Sequence, residues 1–121
     1  MNVQDASLLP QGQETQPPLN WVNAIGLEQL PVGRGRVIFA AGRVLAVWRV
    51  GGQVHVLEDQ CPHAGASLAG GRLEGCVVRC PAHGLCFDVR TGRMALESTL
   101  SVRSYPVQVE EGRVWVGLGP D

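Results

Sequence analysis

The 121-residue chain contains no apolar run approaching the ~18 residues that a membrane-spanning helix needs. Its first twenty residues, MNVQDASLLPQGQETQPPLN, have neither a basic start nor a hydrophobic centre, so they do not read as a secretory signal. Charge is scarce and balanced. Ten Lys and Arg against eleven Asp and Glu leave a net charge of -1, too weak a field to attract nucleic acid or an anionic membrane. No segment repeats at a solenoid period, and no stretch keeps an amphipathic helical period over a convincing length. The glycine run GRGR at 33–36 lacks the G-x-G-x-x-G spacing of a dinucleotide site. These absences describe a soluble, cytoplasmic protein with no membrane, nucleic-acid or Rossmann-type function.

What the chain has instead is β-structure and turns. With 45% hydrophobic residues, 16 glycines and 8 prolines, it favours tight turns over helices, and a domain of this length can bury about 65% of its unfolded surface. Residues 1–20 are rich in Gln and Pro and form a flexible or extended segment, leaving a folded domain over 21–121. GLEQLP (26–31) makes one helical turn stopped by Pro31, and GRG (33–35) is a loop. From Arg36 the pattern becomes a meander: RVIFA, a turn at Ala41 and Gly42, RVLAVWRV, a turn at Gly51 and Gly52, then QVHVLE. Val44, Ala46, Trp48 and Val50 share one face. At the other end, YPVQVEEGRVWVGL forms a hairpin around Glu111 and Gly112, with Val107, Val109, Val114 and Val116 at period two. His55 falls with Gln53 on the face opposite Val54 and Val56, the expected place of an exposed strand histidine.

The two β regions bracket an insertion at about 59–91 that holds all four cysteines and two of the three histidines. Its short strand-like pieces are RLEG, VVRC and CFDV. Without an export signal, the cysteines are expected as thiols or metal ligands rather than disulfides. Cys61 and His63 form one pair, Cys80 and His83 a second, with sixteen residues between His63 and Cys80. Two sulfurs and two nitrogens suit either a tetrahedral zinc or a [2Fe-2S] cluster with one iron on the cysteines and the other on the histidines. Zinc modules group their cysteines in one pair and their histidines in another. Here each loop mixes the two, which lets each loop span a two-iron cluster. A zinc-stabilised interaction module remains a distant alternative.

Residues 61–88, CPHAGASLAGGRLEGCVVRCPAHGLCFD, resemble the cluster-binding region of Rieske proteins, whose motif is C-x-H followed at hairpin length by C-x-x-H. The likeness extends more loosely over Trp21 to Leu118. It implies an all-β Rieske fold, an antiparallel β-sandwich base carrying an inserted cluster-binding subdomain. It implies as ligands Cys61, His63, Cys80 and His83, with Gly65 and Gly84 allowing backbone N–H groups to approach the cluster sulfides. Pro62 and Pro81 would stiffen the loops. Cys76 and Cys86 are then spare, small buried hydrophobes on strands.

The chain departs from the respiratory branch of that family. Ala66 and Ala82 occupy the positions of its loop disulfide, and Leu85 and Phe87 those of its serine and tyrosine hydroxyls. Losing such donors lowers the potential. The resemblance is therefore to the soluble ferredoxins that carry electrons from a flavin-dependent reductase to a terminal oxygenase, or alternatively to the small subunits of nitrite reductases. A mononuclear iron site needs two histidines and a carboxylate, and only His55 is uncommitted, so the chain is an electron carrier and not itself an oxygenase. Around the loops, Pro62, Ala64, Ala82 and Leu85 are expected to form an apolar, uncharged docking patch.

Overall fold

Three two-residue turns organise the β-structure, and each places both central residues at positive φ: Ala41 and Gly42 (52° and 80°), Gly51 and Gly52 (58° and 81°), Glu111 and Gly112 (52° and 75°). This is the type I′ geometry, whose twist matches that of the strands it joins. The structure is a computed structural model that describes residues 20–62, 65–82, 84–94 and 100–119. The expectation for the N-terminal segment therefore lies outside the described residues, except that Asn20 already belongs to the first strand.

In chain order the strands are β1 (Asn20–Gly26), β2 (Arg36–Ala40), β3 (Arg43–Val50), β4 (Gln53–Glu58), β5 (Arg72–Glu74), β6 (Val77–Arg79), β7 (Cys86–Asp88), β8 (Ser104–Tyr105), β9 (Val107–Glu110) and β10 (Arg113–Leu118). One 3-10 turn, Leu27–Gln29, follows β1, where the single helical turn is expected. Three sheets result, ordered β1-β10-β9, β2-β3-β4-β8 and β5-β6-β7. Every ladder is antiparallel. The first two sheets form the base; the third is the insertion.

The β2-β3-β4-β8 sheet is covered on both faces around the middle of β3 and β4, whereas Val37 and Phe39 of β2 and the facing Val44 stay exposed. Leu45, Val47, Val54 and Val56 face the base core, which they share with Ile25, Val114 and Val116. Ala46, Trp48 and Leu57 face the other way, into a second core with Leu68, Val78 and Phe87 of the insertion. Four consecutive residues of β3, Leu45 to Trp48, are consequently fully buried. Burying one large apolar side chain contributes ~1.5 to 3 kcal/mol, so this double-sided strand is where the insertion is anchored.

Two expectations change here. His55 does lie opposite Val54 and Val56, but that face is covered by the insertion, so the residue is half-buried instead of exposed. Burial, reinforced by the Arg90 guanidinium and partly offset by Asp88, lowers its pKa. Cys76 occupies the turn between β5 and β6, after Gly75 at φ 61°, and is half-buried there, not placed on a strand. In the terminal hairpin Val114 and Val116 are buried, whereas Val109 on edge strand β9 is 45% exposed.

Long-range ties close the structure. The Tyr105 hydroxyl donates to Glu58 Oε1 at 2.6 Å, and the Glu58 N–H donates to the Arg103 carbonyl at 2.8 Å. They fix β8 to the end of β4, where the first cysteine loop begins. Among the described residues no helix is long and apolar enough to cross a membrane.

Candidate metal centre

The two cysteine loops close in the same way. In the first, the Cys61 N–H donates to the Ala66 carbonyl at 2.9 Å, and the Gly65 N–H donates back to the Cys61 carbonyl at 2.7 Å. In the second, the Cys80 N–H donates to the Leu85 carbonyl at 2.7 Å, and the Gly84 N–H to the Cys80 carbonyl at 2.9 Å. Both follow the pattern Cys-Pro-x-x-Gly-x, and both need the glycine: φ is 73° at Gly65 and 76° at Gly84, a region L side chains rarely adopt. The correspondence extends one residue outward. Gln60 Nε2 lies by Gly65, 3.7 Å from where a Cβ would be, and Arg79 Nη1 lies by Gly84 at 3.6 Å in the same sense.

Cys61 and Cys80 are each 1% exposed and belong to one core, packed with Trp48, Leu68, Val78 and Phe87. None of the four cysteines is in a disulfide. Pro62, Pro81 and Ala82, which follow the two cysteines, are exposed. Each loop thus buries its cysteine and exposes the proline that follows. His63, Ala64 and His83 lie outside the described residues. Among the described residues, no three His, Cys, Asp or Glu side chains form a metal-sized group.

Cys86, expected to be a spare thiol beside the second loop, is half-buried on β7, and its Sγ donates a weak bond to the Gly84 carbonyl at 3.6 Å. Leu85 is half-buried and Phe87 fully buried. The expected uncharged patch needs one correction, since the exposed Arg79 guanidinium sits beside the second loop at Gly84.

Two residues escape a reading of the sequence alone. Asp59, 9% exposed, is the buried charged side chain among the described residues. Its Oδ1 accepts from the Ala69 N–H at 2.8 Å and its Oδ2 from the Ser67 hydroxyl at 2.7 Å. Gly71 presses against the backbone of Arg79, immediately before Cys80. Neither is marked by type or spacing; the only hint for Asp59 is its position two residues before a candidate ligand.

The geometry fits a group held by two buried cysteine sulfurs from matching loops, in which the left-handed Gly65 and Gly84 turn their own N–H groups onto the Cys61 and Cys80 carbonyls to close each loop. Comparison with known proteins agrees. Residues 20–106 match the Rieske [2Fe-2S] domain family. The ferredoxin component of the naphthalene 1,2-dioxygenase system of Pseudomonas aeruginosa is 34% identical over 99 residues, 81% of this chain and 95% of that protein. Ferredoxin CarAc of Metapseudomonas resinovorans is 39% identical over 98 residues, 79% of this chain and 92% of that protein. Among solved structures, a complex of reduced oxygenase and oxidized ferredoxin in carbazole 1,9a-dioxygenase includes a chain that superposes with a TM-score of 0.72 at 37% identity, covering 78% of this chain and 99% of that one. A Mycobacterium tuberculosis protein assigned as an NADH-dependent nitrite reductase small subunit superposes at 0.78 with 26% identity, covering 85% and 98%. The all-β fold, the paired cysteine loops and the full-length relatives agree, and the chain belongs to the Rieske [2Fe-2S] ferredoxin family.

Proposed function

We propose that this protein is a soluble, cytoplasmic, low-potential ferredoxin that takes single electrons from a flavin-dependent reductase and delivers them to a terminal oxygenase; its likeness to the ferredoxin component of a naphthalene 1,2-dioxygenase system supports the carrier role. In this reading Cys61 and Cys80 would hold one iron of the cluster and His63 and His83 the other, with Gly65 and Gly84 shaping the loops. When bound, the [2Fe-2S] cluster supplies a one-electron couple. The chain's own contribution is orientation and exclusion of water. One observation carries the reading: both cysteines are 1% exposed, while the residues that follow them, Pro62, Pro81 and Ala82, are exposed. The loops bury their cysteines and expose the described residues that follow them.

Pro62, Ala82 and the half-buried Leu85 leave an apolar tip bordered by Arg79. Transient redox contacts bury less than ~1,200 Å2, which suits a small tip that must bind one partner, release it and bind another. The test is reconstitution. The reduced protein should reoxidise when mixed with a ring-hydroxylating terminal oxygenase and its aromatic substrate, and a purified flavin reductase with NADH should reduce it again.

A second reading, a fixed small subunit of an oxidoreductase, is favoured by the likeness to the nitrite reductase small subunit. Copurification in constant ratio with one large chain, and no turnover with free oxygenase, would decide for it.

A further inference from the structure

The two cysteine loops share their internal hydrogen bonds but not the way their necks are held. The second loop is closed by a ladder, since β6 and β7 pair directly outside it with Arg79 opposite Cys86 and Val78 opposite Phe87. Among the described residues the first loop has no such ladder: β4 ends at Glu58, and the next strand, β5, begins at Arg72. At its neck stands Asp59.

Asp59 is tied to the base by its own N–H, which donates to the Val44 carbonyl at 3.0 Å. Its side chain reaches across the loop to Ser67 and to the Ala69 N–H, ten residues on, with one donor on each carboxylate oxygen. A carboxylate placed this way does for the first loop what the strand pairing does for the second. It joins the outgoing and returning limbs and holds Cys61 between them. Bonds to an ionised acceptor are shorter and roughly twice as strong as neutral ones, and burial keeps water from competing for the donors.

We infer that Asp59 is a positioning residue of the metal centre, the side-chain equivalent of the missing ladder, which clamps the loop bearing Cys61 and His63. The inference rests on the proposal that these two residues are ligands. It also assigns Asp59 a second effect. A buried carboxylate two residues before Cys61 in the chain would add negative charge near a bound cluster, which would disfavour the added electron and help to keep the potential low.

The experiment uses the full chain purified with its cluster bound, and compares Asp59→Ala, Asp59→Asn and Ser67→Ala. Asparagine can still accept from the Ala69 N–H, and its amide can donate to the Ser67 hydroxyl, so it preserves the clamp while removing the charge. Loss of visible absorbance in the presence of an iron chelator gives the release rate. Visible circular dichroism and electron paramagnetic resonance report the geometry of the cluster still bound, and redox titration gives the potential. Val116→Ala, in the base core away from the loops, controls for general loss of stability.

Expected are release at least about tenfold faster in Asp59→Ala, the factor set by losing one charge-assisted hydrogen bond, smaller increases in Ser67→Ala and Asp59→Asn, and near-parental release in Val116→Ala. Asp59→Asn should have a higher potential than the parent, and Asp59→Ala an altered spectrum. Parental release and spectrum in Asp59→Ala would overturn the inference, as would Asp59→Asn releasing iron as fast as Asp59→Ala. If Asp59→Ala does not fold, Ser67→Ala decides the matter by the same rate and spectrum. A parent chain that binds no iron would instead overturn the ligand assignment, and this inference with it.

Discussion

A methyl group at Gly71 would stand 2.1 Å from the Arg79 carbonyl oxygen and 3.1 Å from its carbon. Arg79 ends β6 and precedes Cys80, so the return of the first loop and the start of the second meet backbone to backbone at a point where no side chain fits. The two halves of the centre are registered against each other there.

Gly71→Ala must therefore push β6 away, whereas Gly51→Ala meets nothing within 4 Å and is strained only by its φ of 58°. The second change should cost about 1 to 2 kcal/mol, the ordinary penalty of a left-handed L residue. The first should lower the melting temperature further and also reduce bound iron per chain, which Gly51→Ala should leave intact. Differential scanning calorimetry with iron analysis checks both.

The ligand set is tested by composition. The parent should contain about two irons and two acid-labile sulfides per chain. His63→Ala, His83→Ala, Cys61→Ser and Cys80→Ser should lose the cluster. Cys76→Ser and Cys86→Ser should retain it, because one thiol lies in a hairpin turn and the other is turned to the Gly84 carbonyl. A folded Cys86→Ser protein without iron would overturn the assignment.

Leu85 and Phe87 offer no hydroxyl to the centre, so redox titration should place the midpoint near the low end of the Rieske range of about -150 to +300 mV. A hydroxyl bond to a charged acceptor contributes ~1.5 to 3 kcal/mol, which bounds the effect of one donor at roughly 65 to 130 mV. Because the oxidised state accepts the same bond, Leu85→Ser and Phe87→Tyr should each raise the potential by less than that bound. Phe87 is fully buried, so its new hydroxyl should also lower stability by about 1 to 3 kcal/mol wherever it finds no acceptor.

Stability should fall on mild acidification because of His55. Burial and the Arg90 guanidinium lower its pKa below the ordinary histidine value of about 6.5, against a smaller opposing pull from Asp88. Between the folded and unfolded values the unfolded chain binds more protons. The contribution of His55 is thus complete above about pH 6.5 and declines as pH falls through that value towards the lower folded one. Melting temperatures of the parent and His55→Gln should diverge at neutral pH and converge in this window. Asp88 acts in a separate, more acidic one: Arg90 holds its carboxyl below the usual range, so its contribution is lost only as pH falls through that depressed value.

The sequence by itself determined whatever depends on neighbouring residues. Ala41-Gly42, Gly51-Gly52 and Glu111-Gly112 announce their hairpins because a type I′ turn makes its demands on two adjacent positions. Cys61 with Gly65 and Cys80 with Gly84 announce their loops for the same reason, as each closes on itself within six residues. Tertiary structure alone decided which surfaces are covered. Val44, Ala46, Trp48 and Val50 share one face and Leu45 and Val47 the other, and which partner covers each face was settled only by folding: the base core takes Leu45 and Val47, and the insertion folds back over Ala46 and Trp48. His55 is half-buried by the same covering, and Cys76 is displaced into a turn by the register of Arg72–Glu74 against Val77–Arg79. The value of Asp59 lies in a partner ten residues away, and that of Gly71 in the backbone of a different strand. Local conformational demands are written in adjacent residues, whereas burial and close approach are properties of pairs of segments that only the folded chain brings together.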